Sequence, residues 1–300
     1  MCGSFIGTGV WAGWAGAFAH PRRLGRRLHA VPSAGHASPM CPAERNIPDS
    51  GVARVAAVLG AFDALHAVLR VSEIARRAGL PKSTTSRLVR DLVGYGFLER
   101  DENDSALLHM GTRLFEYGEL ASRHRNLRAI ALPYMADLRE ATRQTVHLAV
   151  LDGTEVVYVE ILRSKDAPRM GSRVGGRLPA HAAAVGKVLL AFGDADAVEA
   201  VCAHGLAPVG PRTITAPGLF RRELERIRGA GVAYENEETG PGVGCVATVI
   251  LGADGRAVAA MSISGWSGRL NLRRVGPAVR TAGLAVSREL RGPSPSMGDS

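Results

Sequence analysis

Apolar residues recur at helical spacing from Val52 to Leu69, with Val52, Val55, Ala56, Leu59, Phe62, Leu65 and Val68 on one side, and this predicts a first helix. Two shorter amphipathic segments follow inside Val71 to Leu92. The first keeps Ile74, Ala75 and Ala78 on one face, and the second keeps Leu88, Val89 and Leu92 on one face. Ser72 is the expected N-cap of the first. Gly79 stands where that helix would end in a left-handed residue, and Pro81 cannot continue it but can open the next. The pair predicts a helix-turn-helix. Beyond it, Phe97 to Arg100 and Ala106 to Met110 read as two short strands around the polar turn Asp101 to Ser105, which is a wing.

Thr112 to Ala131 carries Leu114, Phe115, Leu120, Leu127 and Ile130 among charges and reads as a long helix linking two domains. Leu132 to Thr142 is expected to be a separate helix, with Pro133 in its first turn. Val146 to Leu151 and Val156 to Leu162 are β-branched runs about the turn Asp152-Gly153, a hairpin signal. Ala182 to Phe192 and Gly218 to Arg228 are helical in pattern. Cys245 to Leu251 and Ala257 to Ser264 form a second strand pair around Ala253-Asp254-Gly255, and a last helix is expected to open near Pro277 and end at Leu290. An antiparallel sheet flanked by helices gives an α+β fold.

Charge changes the picture for the hairpin. From Arg70 to Arg90 there are six basic residues (Arg70, Arg76, Arg77, Lys82, Arg87, Arg90) against one acid, Glu73, a local balance of about +5. On the second helix Lys82, Ser83, Thr84, Ser86, Arg87 and Arg90 fall largely off the apolar stripe. Hydroxyls and guanidinium groups of this kind contact phosphate oxygens, and an arginine can bond a guanine edge in the major groove. The same residues would also make a plain helical hairpin with a solvated basic face. The adjoining wing favours double-stranded DNA.

The chain of 300 residues, with a net charge of +9, is long enough for two domains and leans toward polyanionic partners. Cys2, Cys41, Cys202 and Cys245 lack C-x-x-C spacing, so neither a disulfide framework nor a metal site is expected, and a reducing cytoplasm fits. Residues 1–49 differ in composition, with a Gly/Ala/Trp run from Phe5 to Ala19 before the basic cluster Arg22, Arg23, Arg26 and Arg27. That order is wrong for a secretory signal, and about 15 glycine-rich residues are too few to span a bilayer. The segment reads as a disordered extension, as a basic arm on phosphates, or as the product of an upstream start codon with Met40 the true initiator. Gly186-Lys187 does not make a phosphate loop, because His181 and Val188 stand where Gly and Ser/Thr are needed.

Five stretches in order carry a resemblance: A-G-L-P-K-S-T-T-S-R-L (78–88), H-M-G-T-R-L (109–114), L-P-A-H-A-A-A-V-G-K-V-L-L-A (178–191), G-V-A-Y-E-N-E-E-T-G-P-G-V-G-C-V-A (231–247) and S-I-S-G (262–265). Together they resemble the IclR family of bacterial transcriptional regulators over residues 50 to 291. The resemblance implies a winged helix-turn-helix DNA-binding domain (50–111), a linker helix (112–130) and a GAF-like α/β effector-binding domain (131–291), followed by a disordered tail (292–300). It also implies homodimers or tetramers on operator DNA, and control of a metabolic operon by a small polar or anionic metabolite, with no cofactor. Effector contacts are implied at Gly171, Ala180, His181, Glu235, Cys245, Ser262 and Ser264, with an anionic group favoured at the N-terminus of the 182–192 helix. Two departures stand out. Glu235 replaces an aspartate found in many relatives, and His109 in the wing replaces a common arginine. Two rival functions are weaker. An enzyme built on Cys245, His181, Glu235 and Glu238 lacks any accompanying H-E-x-x-H, G-x-S-x-G or C-x-x-C motif, and a purely structural nucleoid protein leaves the second domain without a purpose.

Overall fold

The computed structural model describes residues 50–63, 65–120, 122–168 and 170–291. The readings of residues 1–49 and 292–300 lie outside the described residues. The first helix, α1 (Gly51–Leu59), is capped by Ser50, whose hydroxyl accepts from Ala53 N at 3.2 Å. It ends ten residues earlier than the apolar pattern predicts. Gly60 ends it, and Asp63 Oδ1 then accepts from the amides of Leu65 (2.8 Å) and His66 (2.9 Å), an Asx turn that competes with helix. The chain re-emerges as a strand, β1 (Val68–Arg70), because an edge of the wing is there to pair with it.

The hairpin consists of α2 (Val71–Ala78) and α3 (Lys82–Gly94). Ser72 is not the N-cap. The helix starts two residues earlier, with Arg70 as the capping residue and the Glu73 carboxylate accepting from Arg70 N at 2.8 Å. Gly79 adopts the expected left-handed conformation, φ +66°, and sends the chain into the turn. The wing strands β2 (Leu98–Arg100) and β3 (Leu107–Met110) pair antiparallel, and with β1 they make a three-stranded sheet in the order β1-β3-β2. Val58, Leu69, Ile74, Val89, Leu92, Leu98 and Leu108 form the core beneath.

Two helices follow, α4 (Thr112–Leu120) and α5 (Ser122–Thr142). The expected boundary at Leu132 is absent, since α5 runs through Pro133. Leu127, Ala131, Met135 and Leu138 continue one buried stripe across the proline, and packing that stripe on the sheet outweighs the single hydrogen bond Pro133 cannot make. The proposed division at 130/131 therefore falls inside a continuous helix.

The larger sheet contains β4 (Thr145–Asp152), β5 (Glu155–Leu162), β6 (Arg177–Pro179), β7 (Val232–Asn236), β8 (Val243–Leu251) and β9 (Ala257–Trp266). Their order is β6-β5-β4-β9-β8-β7, with every neighbouring pair antiparallel. Gly153 at φ +62° and Gly255 at φ +77° make the two predicted turns. One face packs on α5 and on α9 (Leu272–Arg291) through Val146, Leu148, Val246, Ile250, Met261, Ile263, Val279 and Val286. Asn271, whose side chain accepts from Arg274 N at 3.1 Å, opens α9 well before Pro277. The opposite face packs on α6 (Ala184–Phe192), with α7 (Ala195–His204) and α8 (Pro217–Ala230) outside it. Covering on both faces explains why β4 and β9 read as unbroken apolar or small-residue runs rather than alternating ones.

Candidate nucleic-acid interface and effector pocket

Thr85, Val89 and Leu92 hold α3 against the domain core. Helical geometry then places Ser83, Arg87 and Arg90 on the opposite side at i, i+4 and i+7, where all three are exposed, and Lys82 and Ser86 are exposed beside them. Thr84 is half-buried on the flank. Lys82, Arg87 and Arg90 form no ion pair with another described residue, so their charge is available to a polyanion. The wing tip is different. Asp101 and Asp104 turn it by accepting from the amides of Asn103, Asp104 and Ala106, and Asp104 also pairs with Arg70 at 2.8 Å. His109 faces Glu99 across the wing at 4.0 Å, and no surplus of cations gathers there. Exposed cations without an ion pair among the described residues therefore gather on α3 rather than on the wing tip.

In the second domain, strand register gathers most of the expected effector residues on the α6 side of the sheet. Glu235 on β7 opposes Cys245 on β8, which opposes Ser264 on β9, which opposes Thr145 on β4. The next rung runs Ala233, Ala247, Ser262 and His147. Period-two alternation puts both rungs on one face. Ser264 Oγ donates to Cys245 Sγ at 3.1 Å and lies 3.4 Å from His147 Nδ1, while His147 Nε2 lies 3.0 Å from Ser172 Oγ. His147 thus bridges Ser264 on β9 and Ser172 in the loop after β5. Burial, with Arg163 adding to it, pushes the His147 pKa down to about 3 and keeps the ring neutral.

The sequence does not mark His147, Ser172 and Thr145 as neighbours of the expected effector residues. The signal for His147 was a lone titratable group inside the apolar run of β4. Gly171 is exposed, and its neighbour Ser172 makes the buried contact instead. Ala180 and His181 lie in the turn between β6 and α6 as expected, but the His181 ring reaches away to donate to Ala207 O at 2.9 Å and packs edge-on against Phe220. Burial lowers its pKa, so it too is neutral. Gly186 is obligatory at this point: a Cβ there would meet Ala180 O at 2.2 Å, so the turn can lie directly on the first turn of α6. No side chain caps the N-terminus of α6, and its first residues are buried, which leaves the first-turn amides as donors without a side-chain acceptor.

The carboxylates have separate environments. Glu235, 1% exposed, accepts at Oε1 from Glu238 N (2.8 Å), Thr239 N (3.0 Å) and Thr239 Oγ1 (3.1 Å). Burial pushes its pKa up to about 7 against those hydrogen bonds, and the Glu238 charge adds to the rise. Lys187 on α6 is fully buried and bonds Glu238 Oε1 at 2.5 Å and the Tyr234 carbonyl at 3.0 Å. Glu238 Oε2 has no partner among the described residues. A single lysine in the otherwise apolar A-V-G-K-V-L-L-A-F was the sequence sign of a buried ion pair. Burial and the Glu235 charge push the Cys245 thiol up to about 12, and His181 is bonded elsewhere, so these residues do not assemble a nucleophile and its base. Among the described residues no cluster of three or more His, Cys, Asp or Glu is arranged to hold a metal, and no helix is long and apolar enough to cross a membrane.

Comparisons with known proteins agree with both halves of this architecture. Residues 51–102 match the IclR helix-turn-helix domain, and residues 120–288 match the C-terminal domain of bacterial transcriptional regulator IclR. The chain is 32% identical over 247 residues to the HTH-type transcriptional regulator XynR of Escherichia coli, covering 81% of this chain and 98% of that one. It is 33% identical over 224 residues to the E. coli HTH-type transcriptional repressor AllR, covering 73% and 82%. Among solved structures, an IclR homologue from Microbacterium hydrocarbonoxydans complexed with 4-hydroxybenzoate superposes with a TM-score of 0.76 at 33% identity, over 81% of this chain and 99% of that one. The Thermotoga maritima IclR superposes with a TM-score of 0.65 at 30% identity, over 80% and 98%.

Proposed function

Since the chain belongs to the IclR family of bacterial transcriptional regulators, we propose that it acts in the cytoplasm on double-stranded operator DNA through Lys82, Ser83, Thr84, Ser86, Arg87 and Arg90, under control of a small anionic or polar metabolite. The observation that carries the DNA half is the exposed stripe Ser83, Arg87, Arg90 on α3, opposite its buried face and free of ion pairs among the described residues. The uncapped, buried N-terminus of α6 and the rungs bearing Glu235, Cys245, Ser262 and Ser264 support the effector half, with contacts from Ala180 and His181 made by the backbone of their turn. A relative crystallised with 4-hydroxybenzoate supports a carboxylate as the ligand class. A homodimer or tetramer is supported by α4, which has no buried residue and leaves Phe115 68% and Leu120 75% exposed, apolar surface that a second copy could cover. Effector binding would shift the population of dimer geometries that fit operator half-sites. Its route is α5, which Arg128 ties to Glu160 of β5 at 2.5 Å.

Gel-shift titration of Arg87→Ala tests the DNA half. The substitution is expected to cost about 1–3 kcal/mol in operator affinity and to relax specificity at one base pair. Unaltered affinity and selectivity would remove Arg87 from the reading set. For the effector half, Ser262→Ala with Ser264→Ala is expected to leave operator binding intact but unresponsive to 4-hydroxybenzoate, used as the first probe.

A further inference from the structure

We infer that Glu235 receives an anionic effector as a neutral carboxylic acid, so that the effector enters together with one proton, a step that rests on the pocket reading proposed above. The geometry of the carboxyl assigns the proton. Oε1 already accepts from three donors of the β7–β8 turn, Glu238 N, Thr239 N and Thr239 Oγ1, whereas Oε2 has no hydrogen-bond partner among the described residues. A proton taken from solvent therefore sits on Oε2, and the resulting O–H is a donor on the sheet face that carries Cys245, Ser262 and Ser264.

Burial outweighs what the groups around Glu235 do for its negative charge: the donors on Oε1 and the Lys187 charge favour the ionised form without offsetting it. From α6 comes Lys187, but its ammonium is committed to Glu238 Oε1 and the Tyr234 carbonyl. From the β7–β8 turn comes Glu238, of like sign, held as the counter-ion of Lys187. On α8, Glu223 is paired with Arg226 at 2.7 Å and raises the Glu238 pKa further. On β8 stands the Cys245 thiol, and on β5 the Tyr158 hydroxyl, both kept neutral by burial and held further from ionisation by a charge on Glu235, so neither brings a positive charge. An effector carboxylate placed beside ionised Glu235 would set two like charges together in a buried site whose lysine, Lys187, is already paired with Glu238. One proton removes that repulsion and supplies a hydrogen bond in its place. The raised Glu235 pKa, about 7 from burial, puts the proton within reach at neutral pH. Effector sensing would thereby be coupled to acidity.

The test is calorimetric titration of the full-length protein with 4-hydroxybenzoate, whose carboxylate stays ionised from about pH 5.5 to 8.5. Wild-type affinity is expected to be level below about pH 7 and to weaken by about tenfold per pH unit above it. Near pH 8, buffers of different ionisation enthalpy should report uptake of about one proton per probe bound. Glu235→Gln keeps the Oε1 acceptor and offers an amide N–H where the acid O–H stood, so its affinity should be independent of pH. Binding by the wild type with a flat profile and no proton uptake would overturn the inference while leaving the pocket in place, as would a Gln variant that keeps the wild-type slope. Failure of 4-hydroxybenzoate and of acetate, the bare carboxylate, to bind at every pH would overturn the carboxylate pocket itself and the proton linkage with it.

Discussion

Replacing Glu235 by glutamine should stabilise the protein by an amount that grows with pH. In the native state burial holds this carboxyl at about 7, and in the unfolded chain it returns to 4.5. Between those values the native state keeps a proton that the unfolded chain has released. Unfolding free energy then falls by about 1.4 kcal/mol for each pH unit, and the interval from 4.5 to about 7 amounts to about 3 kcal/mol. The favourable balance is complete below pH 4.5 and is lost as pH rises through the native pKa. Glutamine does not titrate, and its Oε1 can still accept from Glu238 N, Thr239 N and Thr239 Oγ1, so the turn keeps its cap. The variant should match the wild type near pH 4.5 and exceed it by about 3 kcal/mol above pH 7. His147 sharpens the contrast because its sign is opposite. Held at about 3 by burial, it lacks in the native state a proton that the unfolded chain binds below 6.5, so its contribution rises with pH over that window. The two slopes oppose each other between about pH 4.5 and 6.5, so removing the Glu235 slope makes the Gln variant climb more steeply than the wild type there. Urea denaturation at closely spaced pH values, followed by circular dichroism and by fluorescence to test for a single transition, measures both curves. A stability difference that is the same at the two ends of the range would refute the raised, buried acid.

Lys187→Met should cost about 3–5 kcal/mol by leaving the Glu238 carboxylate buried alone, and adding Glu238→Gln should recover most of the loss in thermal melts; a single variant as stable as the wild type would argue that the pair is not sealed from water. His147→Phe strands the Ser172 and Ser264 hydroxyls and should cost about 1–3 kcal/mol at neutral pH. It should also remove the loss of stability that His147 causes as pH falls below 6.5, so an acid limb identical to the wild type in melting temperature against pH would exclude a buried neutral imidazole.

Local chemistry alone determined the helix-turn-helix, because its features act within a few residues. Ile74, Ala75 and Ala78 lie on one face, Gly79 reverses the backbone, Pro81 cannot extend the first helix, and the cations of α3 fall opposite its buried side. Asp152-Gly153 and Asp254-Gly255 likewise fixed the two large hairpins, since a left-handed residue leaves the chain few other turns. The stretches that named the family also placed Glu235, Cys245, Ser262 and Ser264, and strand alternation was enough to put the two serines on one face. Other features depended on partners distant in the chain. Val68 to Arg70 continued a helical pattern and became a strand only because β3 offered an edge, and α5 ran through Pro133 because its apolar stripe had a sheet to lie on. The most informative groups of the candidate effector site were of this second kind. Nothing near His147 in sequence indicates Ser172 or Ser264, and nothing near Lys187 indicates Glu238, 51 residues away. Charge and proton affinity at the candidate site are set by which groups burial forces together without water. That is a property of the packed tertiary structure and not of any local run of residues.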